Sequence, residues 1–575
     1  MKNACTCFSS NLANFGAVAS VLVVERGQLD DGPRANVPYF ANINNVKDME
    51  LIESAKIAKL NNSRASVIVA NVVGGGSVVN GMVYDRGSKA DYDAWEELGN
   101  VGWSFNGLLP YFKKGTTFTP PSQDVTKEFN ITWDTEAYGH GPLQITIANF
   151  QYPDLRTVWN AWKSEGVPLP RGPDNGEAIG AFWTPHTADV HDGRRSSARK
   201  AYYDPASSRS NLKLLTGHVV QEIIFDGTTA KGVRILSLAN NQTTAVYARK
   251  ETILAAGAIR TPHLLQVSGV GPKALLQSAN ISVKIDLASV GANFQDHPYA
   301  AAVSNNVSNI SFPNPNSINV NATFNASVWN EYTTNHTGLI AASRGNSLAF
   351  LSLSQVTAEY QTIINEAKAQ DNPAAYLPAI YSSTPSLMKG FIAQRAILLR
   401  HYASDKAAVA EFPIAPGGGA LVAVQKQLSR GTITINPAEP HGPPIVQYNT
   451  FQNPVDADIL VAGVQRARKL WQNPVLQKFN PVEVFPGPQV KNNQQIMEAL
   501  VGGGLIKPSF AHPSGSCAMM PQELGGCVSD KLLVYGAEKL SIVDASIIPL
   551  IPSCHLQATM YGIAEKAADI IKSRG

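Results

Sequence analysis

A short apolar run, Val21-Leu-Val-Val24, ends in a carboxylate, Glu25. Four such residues in a row read as a buried strand. A carboxylate at the carboxyl end of a buried parallel strand is where a dinucleotide-binding fold holds ribose hydroxyls. In that fold a Gly-x-Gly-x-x-Gly turn follows an earlier strand, about 20 residues upstream. The corresponding window here, Met1 to Ser10, contains no glycine. The expectation is a nucleotide fold whose first strand and phosphate-binding turn are missing, with weak cofactor binding as the consequence.

The rest of the chain reads as α/β with a mixed middle. Lys213 to Phe225 and Lys231 to Ile235 alternate as antiparallel strands do. Thr252 to Ala256 is a short apolar strand followed by Gly257. Residues 300 to 345, rich in Asn, Ser and Pro, read as loops. Val356 to Ala369 and Val455 to Trp471 have helical spacing, and Thr432 to Ile435 reads as a hairpin strand. Met560, Ile563, Ala567, Ile570 and Ile571 recur at helical spacing, which predicts an amphipathic helix over 557–572.

The 47 basic and 44 acidic residues leave a net charge of +3, which argues against nucleic acid or an acidic membrane as partner. No apolar run is long enough to span a bilayer; the longest, Ala17 to Val24, is strand-length. The five cysteines are too few for a disulfide scaffold, so buried thiols are expected; a single Cys517–Cys527 bridge is conceivable, but nothing in the sequence supports it. Asn-x-Ser/Thr sequons occur at Asn61, Asn130, Asn241, Asn280, Asn306, Asn309, Asn321, Asn325 and Asn335. The cluster over 306–335 points to an exposed, glycan-tolerant segment in a protein of the secretory pathway. Against that, Met1 to Ser10 has no apolar signal core.

Gly74-Gly-Gly-Ser77 with Asn80-Gly81 lets a backbone approach a ligand closely. A plain tight turn explains three glycines as well, and Gly417 to Gly419 and Gly502 to Gly504 are similar runs in the same chain. Context decides for the ligand. The stretch Gly74-Gly-Gly-Ser-Val-Val-Asn-Gly-Met-Val-Tyr-Asp-Arg-Gly-Ser-Lys-Ala-Asp-Tyr-Asp-Ala-Trp95 resembles the first signature of the glucose–methanol–choline oxidoreductases. Gly257-Ala-Ile-Arg-Thr-Pro-His-Leu-Leu-Gln-Val-Ser-Gly-Val-Gly-Pro272 resembles the second. Val290-Gly-Ala-Asn-Phe-Gln-Asp-His-Pro298 is similar to a third family segment. Ser509-Phe-Ala-His-Pro-Ser-Gly-Ser-Cys-Ala-Met-Met-Pro521, and Ile542-Val-Asp-Ala-Ser-Ile-Ile-Pro549 through His555-Leu-Gln557, resemble its C-terminal catalytic region. The five segments follow the family's order from about Val21 to the end. With Arg194-Arg-Ser-Ser-Ala-Arg-Lys-Ala-Tyr-Tyr-Asp204 they suit the fungal branch that includes glucose oxidase, aryl-alcohol oxidase and patulin-synthase-like dehydrogenases.

That resemblance implies a Rossmann-like FAD domain, assembled from residues 1–110, 205–300 and 505–575, and a substrate domain on an antiparallel sheet from 111–204 and 301–504. It implies FAD as cofactor, no metal, a small alcohol as substrate, and oxygen or a quinone as electron acceptor. His512 maps onto the catalytic base and His555 onto its partner; His186, His191 and His297 have no comparable support. Glu25 would hold the adenosine ribose, Ser77, Asn80, Gly81 and Val83 the pyrophosphate and flavin, Val220 the adenine side, and Asp544 and Ala545 the ribityl or pyrophosphate region. His555 directly precedes the terminal helix, whose electropositive end disfavours a protonated ring, so a neutral imidazole is expected. Two alternatives are a non-redox cyclase on the same fold, similar to versicolorin B synthase, and a catalytically dead remnant without the phosphate-binding turn.

Overall fold

The computed structural model describes residues 20–41, 45–343 and 346–574. The glycine-free window Met1 to Ser10, with Cys5 and Cys7, lies outside them. Val21–Val24 is a strand, and it pairs in parallel with Leu212–Leu215. Thr252–Leu254 pairs in parallel with Leu540–Ile542, and the helix Gly257–Val267 follows directly. The alternating run from Lys213 is two strands, not one. Gly217, at φ +67°, turns the chain where an L side chain is strained. Beyond it His218–Asp226 runs antiparallel to Thr229–Ser237, which pairs with Thr243–Tyr247.

A larger antiparallel sheet takes Val482–Phe485, Tyr299–Asn306, Gly419–Val424, Ala410–Pro413, Ser347–Leu351 and Gly180–Trp183 in that spatial order, with Ile506–Lys507 also on Tyr299–Asn306. Helix Pro454–Trp471 packs on its Gly419–Val424 and Tyr299–Asn306 strands, and this region is continuous with the rest of the hydrophobic core. The architecture is thus mixed helix and sheet, with parallel pairs beside an antiparallel sheet.

The expectation of loops over 300–345 is corrected. Tyr299–Asn306 sits inside the sheet, and Ala322–Asn335 is a helix. Polar composition hid both. Asn305 is buried because its Nδ2 donates to the Gly418 carbonyl (3.0 Å). Asn321 caps the helix by accepting from Phe324 N–H (2.9 Å). Asparagine elsewhere serves backbone needs: Asn61, Asn130, Asn241, Asn280 and Asn309 all have φ between 51° and 56°, a region Asn tolerates better than most residues. All the sequon asparagines are exposed except Asn325, which is half-buried.

Leu556–Lys572 forms the expected helix and packs on Phe105–Gly115. Gly562 permits the close crossing, since a Cβ there would lie 2.4 Å from the Phe112 ring. The expectation of buried thiols holds for Cys554 and fails for Cys517 and Cys527, which form a disulfide with Cα atoms 5.0 Å apart. Among the described residues no helix is long and apolar enough to cross a membrane.

Candidate active site

Two loops and a helix start bring the expected histidines together. Segment 293–297 pairs with 512–515 through reciprocal bonds between Gln295 and Ser514 (both 2.9 Å). Asp296 ties the loops further: its Oδ1 accepts from His297 N–H (2.8 Å) and His512 N–H (3.0 Å), and its Oδ2 from Ser509 Oγ (2.6 Å). Ala511, at φ +62°, holds a left-handed conformation that turns the His512 ring into place; such strain persists only where neighbours over-determine it. Buried Arg430 supports the assembly from behind, donating to Asn293 Oδ1 (3.0 Å) and Gln394 Oε1 (3.0 Å).

The His512 and His555 ring centroids are 5.0 Å apart with planes at 81°. Phe510 walls the pair, 5.5 Å from His512 and 5.8 Å from His555, and Tyr299 lies 4.8 Å from Phe510. The two imidazoles differ in charge. Burial, with His555 and His297 adding to it, holds the His512 pKa well below the ordinary value, so it is neutral. Burial also disfavours charge on His555, but Asp85 and Glu411 more than offset this and raise its pKa to about 9. Asp85 Oδ1 is 3.2 Å from its Nδ1 and Glu411 Oε1 is 3.7 Å from its Nε2. The expectation of a neutral His555 is therefore overturned. It does sit at the N-cap of the terminal helix, but the Asp85 carboxylate and the nearby Glu411 together outweigh the partial charge of a helix end. Burial pushes Glu411 itself up to about 7, with Asp85 adding to it and His555 opposing.

The positions expected to meet a cofactor form a connected band. Glu25 is buried at the end of its strand and its Oε1 accepts from Gly27 N–H (2.8 Å). His218 N–H bonds the Glu25 carbonyl (3.1 Å), which brings the strand carrying Val220 alongside. Val73 N–H bonds the Gln28 carbonyl (3.0 Å) and leads into Gly74 and Gly75, at φ +99° and +57°. Ser77 spends its hydroxyl inside the protein, donating to the Gly74 carbonyl (2.7 Å) and accepting from Ala198 N–H (2.9 Å). Asp544 does likewise, accepting from Gly257 N–H (3.0 Å), Thr261 Oγ (2.5 Å) and Ser546 N–H (2.8 Å). Ala545 accepts from Gly515 N–H (3.0 Å), next to the His512 loop. Asn80 donates to Gln557 Oε1 (2.6 Å), and Gln557 Nε2 donates to the Val83 carbonyl (3.3 Å), so the glycine segment is fastened two residues past His555. The Gly81 carbonyl accepts from Ser343 Oγ (3.1 Å).

Sequence reasoning passed over Asp85, Arg195, Asp296 and Glu411, and it set His297 aside for want of support. Arg195 is a buried cation bonded to no carboxylate among the described residues; it donates to the carbonyls of Ala35 (3.0 Å), Ser77 (3.1 Å) and Asn80 (2.9 Å) and to Asn80 Oδ1 (2.7 Å). Burial lowers its pKa to about 9. Asp85, Arg195, Asp296 and His297 all lie inside the segments that carry the family resemblance, and a Glu within the apolar strand Ala410–Pro413 is a signal that could have exposed Glu411.

The chain matches the GMC oxidoreductase family profile over residues 48–299 and again over 427–564. It is 36% identical to the dehydrogenase xptC of Emericella nidulans over 561 residues, which cover 96% of this chain and 89% of that protein. It is 30% identical to patulin synthase of Aspergillus clavatus over 509 residues, 86% of this chain and 77% of that protein. Among solved structures, an FAD-dependent oxidoreductase from Chaetomium thermophilum superposes with a TM-score of 0.95 at 36% identity, covering 100% of this chain and 98% of that one. A fungal aryl-alcohol oxidase superposes with a TM-score of 0.94 at 32% identity, covering 100% and 97%.

Proposed function

Because this chain belongs to the GMC oxidoreductase family and its cofactor is FAD, we propose that it oxidises a primary or secondary alcohol with His512 as base. The observation that carries the reading is the pair of imidazoles in opposite charge states, 5.0 Å apart. Neutral His512 takes the hydroxyl proton on Nε2. Protonated His555 holds the carbinol oxygen while negative charge develops there, the kind of fixed complement that dominates such barriers. As the carbon–oxygen double bond forms, the carbinol hydrogen leaves with its electron pair. Bound FAD supplies the acceptor for that hydride. Phe510 and Tyr299 give the substrate an aromatic wall, which favours an alcohol with a planar apolar body.

Three features support FAD along the band from Glu25 to His555. Glu25 is buried at the carboxyl end of a parallel strand, Gly74 and Gly75 hold positive-φ conformations that let a ligand approach the backbone closely, and Arg195 carries positive charge with no carboxylate bonded to it among the described residues. We assign Glu25 to the ribose, the 72–83 segment with Asp544 and Ala545 to the pyrophosphate and flavin, and Val220 to the adenine side. The division into a cofactor part (1–110, 205–300, 505–575) and a substrate part (111–204, 301–504) belongs to the same reading, supported by the antiparallel sheet. A biosynthetic role in fungal secondary metabolism accords with the xptC and patulin synthase relatives. The exposed sequon cluster supports passage through the secretory pathway; an endoglycosidase-induced mass shift after expression in a fungal host tests it.

The decisive experiment mixes purified holoenzyme anaerobically with a panel of aromatic alcohols. Flavin bleaching in the wild type, and none in His512→Ala with its flavin retained, is expected. Bleaching in both sinks the assignment of His512. Turnover without any electron acceptor would move the protein to the non-redox cyclase reading. Reoxidation by oxygen or by a quinone then identifies the acceptor.

A further inference from the structure

His297 is fully buried, and its Nδ1 lies 2.9 Å from Nδ1 of His512, with the ring planes at 89°. Two imidazole nitrogens at that distance share one hydrogen: one ring carries it and the other accepts. Which ring carries it decides what His512 can do. If His297 donates, His512 keeps its hydrogen on Nε2 and has no lone pair there for a hydroxyl proton. If His512 donates, its Nε2 is the bare nitrogen.

The surroundings select the second arrangement. With Nδ1 facing His512, the nitrogen left to carry the His297 hydrogen is Nε2, which makes no hydrogen bond among the described residues; the Gln425 carbonyl acts in favour of hydrogen on this ring. A hydrogen on His297 Nε2 leaves its Nδ1 as the acceptor toward His512. Among the described residues no group bonds His512 Nε2, so that nitrogen is the one left for a ligand. Asp296 fixes the distance between the rings by accepting from both backbone N–H groups.

We infer that His297 is a positioning residue that fixes His512 in its Nδ1–H tautomer by accepting that hydrogen. The inference rests on the reading of His512 as base. When His512 Nε2 takes the hydroxyl proton, the imidazolium goes on donating from Nδ1 to neutral His297, and no proton passes to His297. Its neutrality is secured by its neighbours. Burial, then the cations His555 and Lys426, hold its pKa down to about 3, with Asp91 and the Gln425 carbonyl opposing.

The test compares His297→Leu, which removes the acceptor, with His297→Gln, whose amide oxygen restores one. In His297→Leu both His512 tautomers populate. The expected fall in kcat is about 10- to 100-fold with KM within about two-fold, smaller than the loss of roughly four orders of magnitude when a catalytic histidine is held in the wrong tautomer. His297→Gln should recover most of it. A second readout needs no turnover: diethyl pyrocarbonate acylates the imidazole nitrogen bearing the lone pair. Acylation of His512 in the holoenzyme, followed by peptide mass, should slow several-fold in His297→Leu and recover in His297→Gln. Wild-type kcat and acylation in His297→Leu, or equal impairment of both variants, would overturn the inference. Should His297→Leu not fold, the Gln variant decides alone: wild-type acylation supports the lock and its loss overturns it. If His512→Ala keeps turnover, the reading of the base fails. If His512→Ala is inactive while His297→Leu is unimpaired, only the lock fails.

Discussion

Asp85 grips His555 at two points: its carboxylate oxygens lie 3.2 and 3.3 Å from the His555 backbone nitrogen, and Oδ1 lies 3.2 Å from ring Nδ1. The first contact sets where the terminal helix begins, and the second keeps a proton on the ring. One carboxylate thus couples the start of a helix to the charge of the site. Glu411 adds charge from the antiparallel sheet without holding the backbone.

Glu411→Gln should therefore change charge with little change in position. With one of two carboxylates gone, the His555 pKa falls from about 9 toward the ordinary 6.5. The proton is then lost at lower pH, so the basic limb of kcat/KM moves to lower pH. A kcat/KM profile for the variant that superposes on the wild type would show that His555 need not be charged.

His512→Ala and His555→Ala should each cost roughly two to four orders of magnitude in turnover. The double variant should cost little more than the worse single one, because a base and a charge acting on one oxygen contribute as a unit. Rapid-mixing measurement of flavin bleaching checks this, and fully additive losses would place the two rings in separate steps.

How far the sequence showed this site depends on the kind of signal each residue carries. Helix 557–572 was legible because its apolar residues follow one period, and Glu25 because it ends an unbroken apolar run. That His512 and His555 lie together was legible only through resemblance, since two isolated histidines have no local signature. The charge of His555 was misread because the only local argument was the helix end, whereas Asp85 and Glu411 arrive from 470 and 144 positions away by residue number. The strand Tyr299–Asn306 was hidden because its buried polar group, Asn305, finds its partner only in the folded sheet. The disulfide was legible as a pairing but not as a fact, because spacing alone does not set the approach of two Cα atoms.

That disulfide closes a separation of 10 residues just past the His512 loop. Loop-closure entropy for such a span is about 2–3 kcal/mol. Replacing both partners, Cys517→Ser with Cys527→Ser, should lower the unfolding free energy by about that amount and leaves neither partner as a lone thiol. Chemical denaturation checks it, and an unchanged midpoint would mean that buried packing alone holds the 517–527 segment.

Stability should fall as pH rises from 7 to 9. His555 binds its proton more tightly in the folded chain, with a pKa of about 9 against 6.5. Its contribution is complete below pH 6.5 and is lost as pH climbs to 9. Buried Asp48, Asp296 and Glu411, raised to about 7 chiefly by desolvation, act in the same direction at lower pH: their contribution is lost between the ordinary carboxyl range and 7. Below 6.5 the opposite tendency enters. Burial lowers the pKa of His263 to about 4 and of His297 and His401 to about 3, and their contribution is lost as pH falls toward those values. The two sets oppose each other between pH 4 and 6.5; above 7 His555 sets the slope, joined toward pH 9 by the buried Cys554 thiol, whose pKa burial raises well above the ordinary value. Thermal unfolding of the holoenzyme across pH 6 to 9 should show the midpoint declining by a few °C, and His555→Gln should flatten the decline. A wild-type midpoint that holds steady or rises through that window would mean that His555 does not carry its proton in the folded protein.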